Sequence, residues 1–188
     1  GIIEKLWREF PNYAAVKHPR PVALRDSGLG TDEYAVIYDV SSRGVAVRLC
    51  LGKQIRKYFF LEISKEELER DIARFRDPMQ KLEFGHFNVE LAKSLYRRLF
   101  GDILADVPKG NPLTIIPDGL LAILPFEALV VGGSAVWKKD AQGFPYPEGL
   151  TFLVDEHPVS YYQSLTALTL ERTVGSVDRK RDSMLVLA

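Results

Sequence analysis

Apolar residues at Ile2, Ile3, Leu6 and Phe10 recur at helical spacing until Pro11 interrupts them, which predicts a short amphipathic helix over Ile2–Phe10. From Pro11 to Gly30 the periodicity lapses. Pro11, Pro19, Pro21, Gly28 and Gly30 predict an irregular surface segment with one short helix around Ala23–Ser27. Three β-branched and aromatic runs follow, Tyr34–Val40, Val45–Leu51 and Ile55–Ile63. Ser41-Ser-Arg-Gly44 and Gly52-Lys53 join them, and such short connections predict an antiparallel meander.

Ser64 opens a helix, with Glu67 three residues on to complete a capping box, an apolar stripe of Leu68, Ile72 and Phe75, and Pro78 as its stop. Leu91, Leu95 and Leu99 recur at four-residue steps beside Tyr96, which predicts a second amphipathic helix over about Asn88–Leu104. Leu113–Ile116 has the character of a short buried strand, Pro117-Asp-Gly119 of a turn, and Leu120–Val131 is a long apolar run containing Pro125-Phe-Glu-Ala-Leu129. Residues 132–149 are rich in Gly, Pro and charge and are expected to be a mobile excursion. Phe152–Val154 and Val159–Tyr162 are short strands, Ser164 caps a last helix to about Thr173, and 175–183 is a polar connection.

The chain finishes on the apolar run Met184–Ala188, the pattern of a central parallel strand buried on both faces. Nothing follows to cover it, and the chain starts at Gly1 without an initiator methionine. Both features lead to the expectation of a piece excised from a longer protein. There is no internal repeat and no low-complexity tract.

Composition narrows the function classes. The 188 residues are 46% hydrophobic and 27% charged, ordinary for a folded chain of about one domain. Twenty-five Lys and Arg balance twenty-five Asp and Glu, so no global field draws in nucleic acid or an anionic membrane. Arg179-Lys180-Arg181 is basic, but Asp178 and Asp182 flank it, the pattern of a solvated linker. Cys50 is the only cysteine, which excludes a disulfide framework and fits a reducing compartment such as the cytoplasm. No apolar stretch approaches the ~20 residues of a membrane helix, and charges at Glu4, Lys5, Arg8 and Glu9 interrupt any signal-peptide core.

Independent chemistry is not visible. A nucleophile needs a base within hydrogen-bond reach, whereas Cys50 lies mid-strand between Leu49 and Leu51 as a buried structural thiol would. His18, His86 and His157 share no metal-ligand spacing and read as surface or turn histidines. Gly132-Gly-Ser134 is an incomplete nucleophile elbow, Gly28-Leu-Gly30 is a lone glycine pair, and no phosphate-cradling loop is present. Glu66-Glu67 and Glu69 with Asp71 are assigned to the solvent face of a helix, serving solubility.

The block Ile115-Ile-Pro-Asp-Gly-Leu-Leu-Ala-Ile-Leu-Pro-Phe-Glu-Ala-Leu-Val130 strongly resembles the hallmark of CHAT domains, bacterial caspase-like modules that often follow tetratricopeptide repeats. Phe152–Ser164 is similar to the family's next segment, a strand pair leading to a serine-capped helix. The Tyr34–Ile63 strands and the Asn88–Tyr96 helix agree in order and character. Read on its own physics, Asp118 bonds backbone amides, Gly119 supplies a positive φ and Pro125 sends Phe126 into the core. These are architectural roles, and Asp118 and Glu127 are the first that a ligand would revise.

The resemblance implies cysteine–histidine peptide hydrolysis in the family. No position here matches either motif, so catalytic, cofactor-binding and metal residues are all assigned as none, and no cofactor is expected. The expected fold is α/β of mixed α+β type: an antiparallel meander, then helices and a mixed sheet, forming the N-terminal, pseudo-caspase-like portion of a CHAT domain. Expected divisions are 1–30 as lead-in, 31–177 as the front of the CHAT domain, and 178–188 as linker and first strand of a truncated catalytic half. The chain would support that half and relay partner binding. Its partners would be proteins: the C-terminal catalytic half, a tetratricopeptide-repeat region and the parent's protein substrate, with no membrane and no direct nucleic-acid contact. A stand-alone interaction domain from a degenerate CHAT-like protein is the alternative, and an unrelated small-molecule-binding α+β domain ranks third.

Overall fold

The meander forms as its sequence dictates. In the computed structural model, which describes residues 1–10, 14 and 20–175, β1 (Tyr34–Ser41), β2 (Gly44–Leu51) and β3 (Gln54–Leu61) pair antiparallel in sequence order. Gly44 is required at the first hairpin: its φ is +145°, and a Cβ there would lie 2.1 Å from the Leu61 carbonyl oxygen. Strand β4 (Leu113–Ile116) then pairs parallel with β1, and β7 (Val159–Tyr161) pairs parallel with β4. The result is a mixed five-stranded sheet of order β3-β2-β1-β4-β7.

Alternation along the strands splits the interior in two. Val36, Tyr38, Val45, Val47, Leu49 and Ile115 face the main core, where helices α2 (Lys65–Gln80) and α3 (Val89–Phe100) place Leu68, Ile72, Phe75, Leu95 and Leu99 against them. Ala35 and Cys50 face the opposite side, under Leu168 of helix α5 (Leu165–Gly175) and Leu29 of the lead-in. Helix α1 (Ile2–Glu9) buries none of its residues fully and is held to the lead-in by the Glu4–Arg20 ion pair and by Arg20 over the Trp7 ring.

Several expectations change. Ser64 caps α2 by accepting from the Glu67 amide at 3.1 Å, but the Glu67 carboxylate does not fold back; it takes Arg98 of α3 at 2.7 Å. Asp71, only 8% exposed, takes the same guanidinium at 2.7 Å. These acids clamp α2 to α3 rather than serve solubility. Helix α2 also runs through Pro78 to Gln80: Pro78 has no amide to donate to the carbonyl four residues back, but its ring is buried and only the last turn of the helix follows it. Conversely α3 stops at Phe100, four residues early, where Gly101 takes φ +55°.

Residues 132–149, expected to be a mobile excursion, instead form most of a hairpin, β5 (Val130–Lys139) with β6 (Pro145–Phe152). Its glycines are structural: Gly133 has φ +91° and the Gly149 carbonyl oxygen is where its Cβ would be, at 2.1 Å. Asp140 closes the turn by accepting from the amides of Gln142 and Phe144 at 2.9 and 2.8 Å. Leu153–Glu156 is a helical turn, α4, not a strand, and Asp155 accepts from the Phe152 amide at its start. Ser164 caps α5 through the Ala167 amide, as its sequence indicates. His18, the Arg179–Arg181 triplet and the Met184–Ala188 run lie outside the described residues.

Candidate functional site at the carboxyl ends of the parallel strands

Strand β1 continues past the last residue it shares with β4: the pairing ends at Ile37 and Ile116, while β1 runs on to Ser41. Its exposed amides on that side need acceptors. Asp118 supplies one, taking the Val40 amide at 2.8 Å through Oδ2. Asp118 thus bonds a backbone amide, as expected, and the amide it takes lies at the end of a strand 78 residues earlier. Gly119, with φ +54°, then opens a 3-10 turn over Gly119–Ile123 that buries Leu121.

A second turn, Phe126–Ala128, follows Pro125 and buries Phe126 completely. Its ring lies 5.3 Å from Tyr38, 5.9 Å from Phe100 and 6.3 Å from Tyr161, centroid to centroid. The Phe126 amide donates to the Tyr161 hydroxyl at 3.0 Å, and that hydroxyl donates onward to the Glu127 carboxylate. Burial, then the adjacent Glu127 carboxylate, push the Tyr161 phenol well above its ordinary range. Tyr161 is therefore a neutral donor at physiological pH and not a base. No sequence spacing signalled this pair, since Tyr161 and Glu127 are 34 residues apart.

Between these elements lies a cleft of about 380 Å³, lined by Pro117, Asp118, Gly119, Tyr161, Tyr162 and Gln163. It sits outside the carboxyl ends of β4 and β7, where open α/β sheets place their ligand sites. The second oxygen of Asp118 and the Gln163 amide offer hydrogen bonding to a polar or peptide-like group, whereas the Tyr161 hydroxyl is engaged by Phe126 and Glu127 and Tyr162 by Arg172. They offer no nucleophile. A larger hollow of about 470 Å³, walled by Met79, Phe87, Phe144, Pro145, Tyr146 and Phe152 beside the hairpin, is almost wholly apolar; its one carboxylate, Asp140, already serves the turn.

The other chemistry-bearing residues are scattered. Cys50 is fully buried on the α5 side of the sheet, and burial pushes its thiol up to about 11, so at neutral pH it is an inert thiol. His86 is exposed beside Glu83. His157 sits in the turn before Pro158, one of the two settings expected for it, but is only 2% exposed: its Nδ1 bonds the Asn111 carbonyl at 3.1 Å, fixing the loop that enters β4 at the end of the sheet opposite the cleft. The Gly28 amide bonds the Thr169 hydroxyl at 2.9 Å and the Gly28 carbonyl accepts from Arg172 at 2.7 Å, so this glycine serves packing of the lead-in on α5. Among the described residues no three His, Cys, Asp or Glu side chains are grouped to hold a metal ion, and no helix is long and apolar enough to cross a membrane.

Fold and cleft together define a mixed α/β domain whose parallel strands run into a turn-rich block anchored by one aromatic. A family model for the CHAT domain matches residues 89–188, and the chain belongs to that caspase-like, peptidase-related family. The match begins at α3 and takes in β4, the Pro117–Leu129 block, the hairpin, β7 and α5; the meander and α2 lie ahead of it. No curated protein and no solved structure matches the chain.

Proposed function

We propose that this chain is the non-catalytic front part of a caspase-like CHAT peptidase, with residues 31–177 bracing a catalytic half supplied by the rest of the parent polypeptide and relaying the binding of protein partners to it. The observation that carries this reading is how the family's hallmark block is used. Asp118, Phe126 and Glu127 are spent on joining β1, β7 and the core, while the one thiol is buried with its proton held to about 11. Support for a site is what such residues provide.

The reading is tested by assaying hydrolysis of fluorescein-labelled casein by the 188-residue chain and by the chain joined to its catalytic half. The expected result is no turnover by the chain alone and cysteine-dependent turnover by the joined protein. Proteolysis by the chain alone that disappears in Cys50→Ala would overturn it. Failure of the joined protein to cleave any substrate, with the chain still binding protein partners, would favour the stand-alone interaction domain.

A further inference from the structure

Strand β3 is eight residues long and ends the sheet, so its outer row of backbone N–H and C=O groups has no neighbouring strand among the described residues. Natural sheets guard such edges with proline, short strands, lysines or bulges; β3 has one bulge, at Arg56, and one lysine, Lys57, tied down by Asp106, and pairs regularly from Lys57 to Leu61. Here Ile55, Tyr58 and Phe60 stand opposite Cys50, Arg48 and Ala46 and so share the α5 side of the sheet. Helix α5 and the lead-in cover Ala35 and Cys50 but do not reach the outer strand. Ile55 is 53% exposed, Tyr58 63% and Phe60 42%, whereas Phe59 and Leu61 on the other face pack against the main core. The strand is held rigidly from one side and left apolar and open on the other.

Charge selects the occupant. Lys57 is engaged with Asp106 at 3.0 Å and Arg48 with Asp39. Lys53 and Arg56, both exposed at the start of β3, make no ion pair among the described residues. Glu62 is the only carboxylate between Gly52 and Ile63. We propose that β3 is a docking edge for an extended segment of a partner protein, added as a sixth strand, with apolar residues at alternate positions and carboxylates at the end that meets Lys53 and Arg56. Main-chain hydrogen bonds supply the affinity, the Ile55–Tyr58–Phe60 row takes the apolar side chains, and the two cations fix register. The proposal rests on the sheet edge alone and survives if the peptidase reading fails.

The probe is a ten-residue synthetic peptide with Val at alternate positions, Thr between them and three acidic residues at one end; its control carries Lys in place of the acids. Amide hydrogen exchange of the 188-residue chain and anisotropy of the labelled peptides are the readouts. Saturating acidic peptide should slow exchange across Ile55–Leu61 and leave β7, the opposite edge, unchanged. The acidic peptide should bind about five- to tenfold more tightly than the control at low salt, a preference that shrinks at high salt. Arg56→Glu, an exposed change, should abolish that preference without altering the circular dichroism. No slowing at millimolar peptide, or equal binding of both peptides, overturns the proposal. So does protection of β3 that grows with protein concentration in the absence of peptide, which would assign the edge to a second copy of the chain.

Discussion

Phe126→Ala tests whether the hallmark block is architecture. The ring is fully buried and meets Tyr38, Phe100 and Tyr161 within 6.3 Å. Withdrawing a buried phenyl group forfeits about 2–3 kcal/mol of transfer free energy. The space left behind is bounded by β1, α3 and β7, which the Asp118–Val40, Tyr38–Leu99 and Tyr161–Phe126 bonds hold in place. The unrelaxed cavity adds about 1–2 kcal/mol at ~24 cal/mol per Å³, for a total of about 3–5 kcal/mol. That is a large part of the ~5–15 kcal/mol of a typical domain. In urea titrations followed by circular dichroism, the midpoint should fall with an unchanged slope. Phe126→Leu, which keeps most of the volume, should lose less than half as much. A loss below about 1 kcal/mol for Phe126→Ala would refute the anchoring role and reopen the block as a ligand site.

Arg98→Ala should cost about 2–3 kcal/mol, because it strands the nearly buried Asp71 and the neighbouring Glu67 without their cation; in a double-mutant cycle with Asp71→Ala the losses should be clearly less than additive, and simple additivity would show the clamp to be idle. Alkaline titration gives a further check. Burial raises Cys50 from 9.0 to about 11, and raises Tyr161 and Tyr38 above their ordinary 10.0, so the unfolded chain loses these protons first and stability falls as pH rises above about 9. Cys50→Ala should soften the loss between pH 9 and 11, and the native thiol should react with a disulfide reagent at neutral pH only as fast as the protein opens; immediate reaction would contradict its burial.

What the sequence revealed depended on the range of the interaction. The meander, the caps at Ser64 and Ser164 and the positive φ of Gly119 are legible because each is decided within a few residues. Phe126 was also legible, since a large aromatic after a proline in an apolar run has nowhere to go but the core. The double use of Arg98 was not, because its carboxylates lie 27 and 31 residues away on another helix. Composition misled at residues 132–149: glycine and proline usually break structure, yet here Gly133 and Gly149 permit the backbone approach on which the hairpin depends. His157 looked like a turn residue from its proline neighbour, and only the packing of the β4 entry loop buries it.

The lead-in and α5 are stitched together across more than 140 residues. Thr166 and Thr169 accept from the amides of Val22 and Gly28, 144 and 141 residues earlier, and Arg172 donates to the Gly28 carbonyl and to Glu33. On the ribosome, therefore, β1 and β2 can pair as soon as they emerge, but Ala35 and Cys50 stay wet on one face until α5 has been synthesised. Closing a loop of that length is entropically costly and slow compared with forming the meander. The two ends of the described fold are thus locked together by α5, and a nascent chain halted between β2 and α5 leaves Ala35 and Cys50 uncovered.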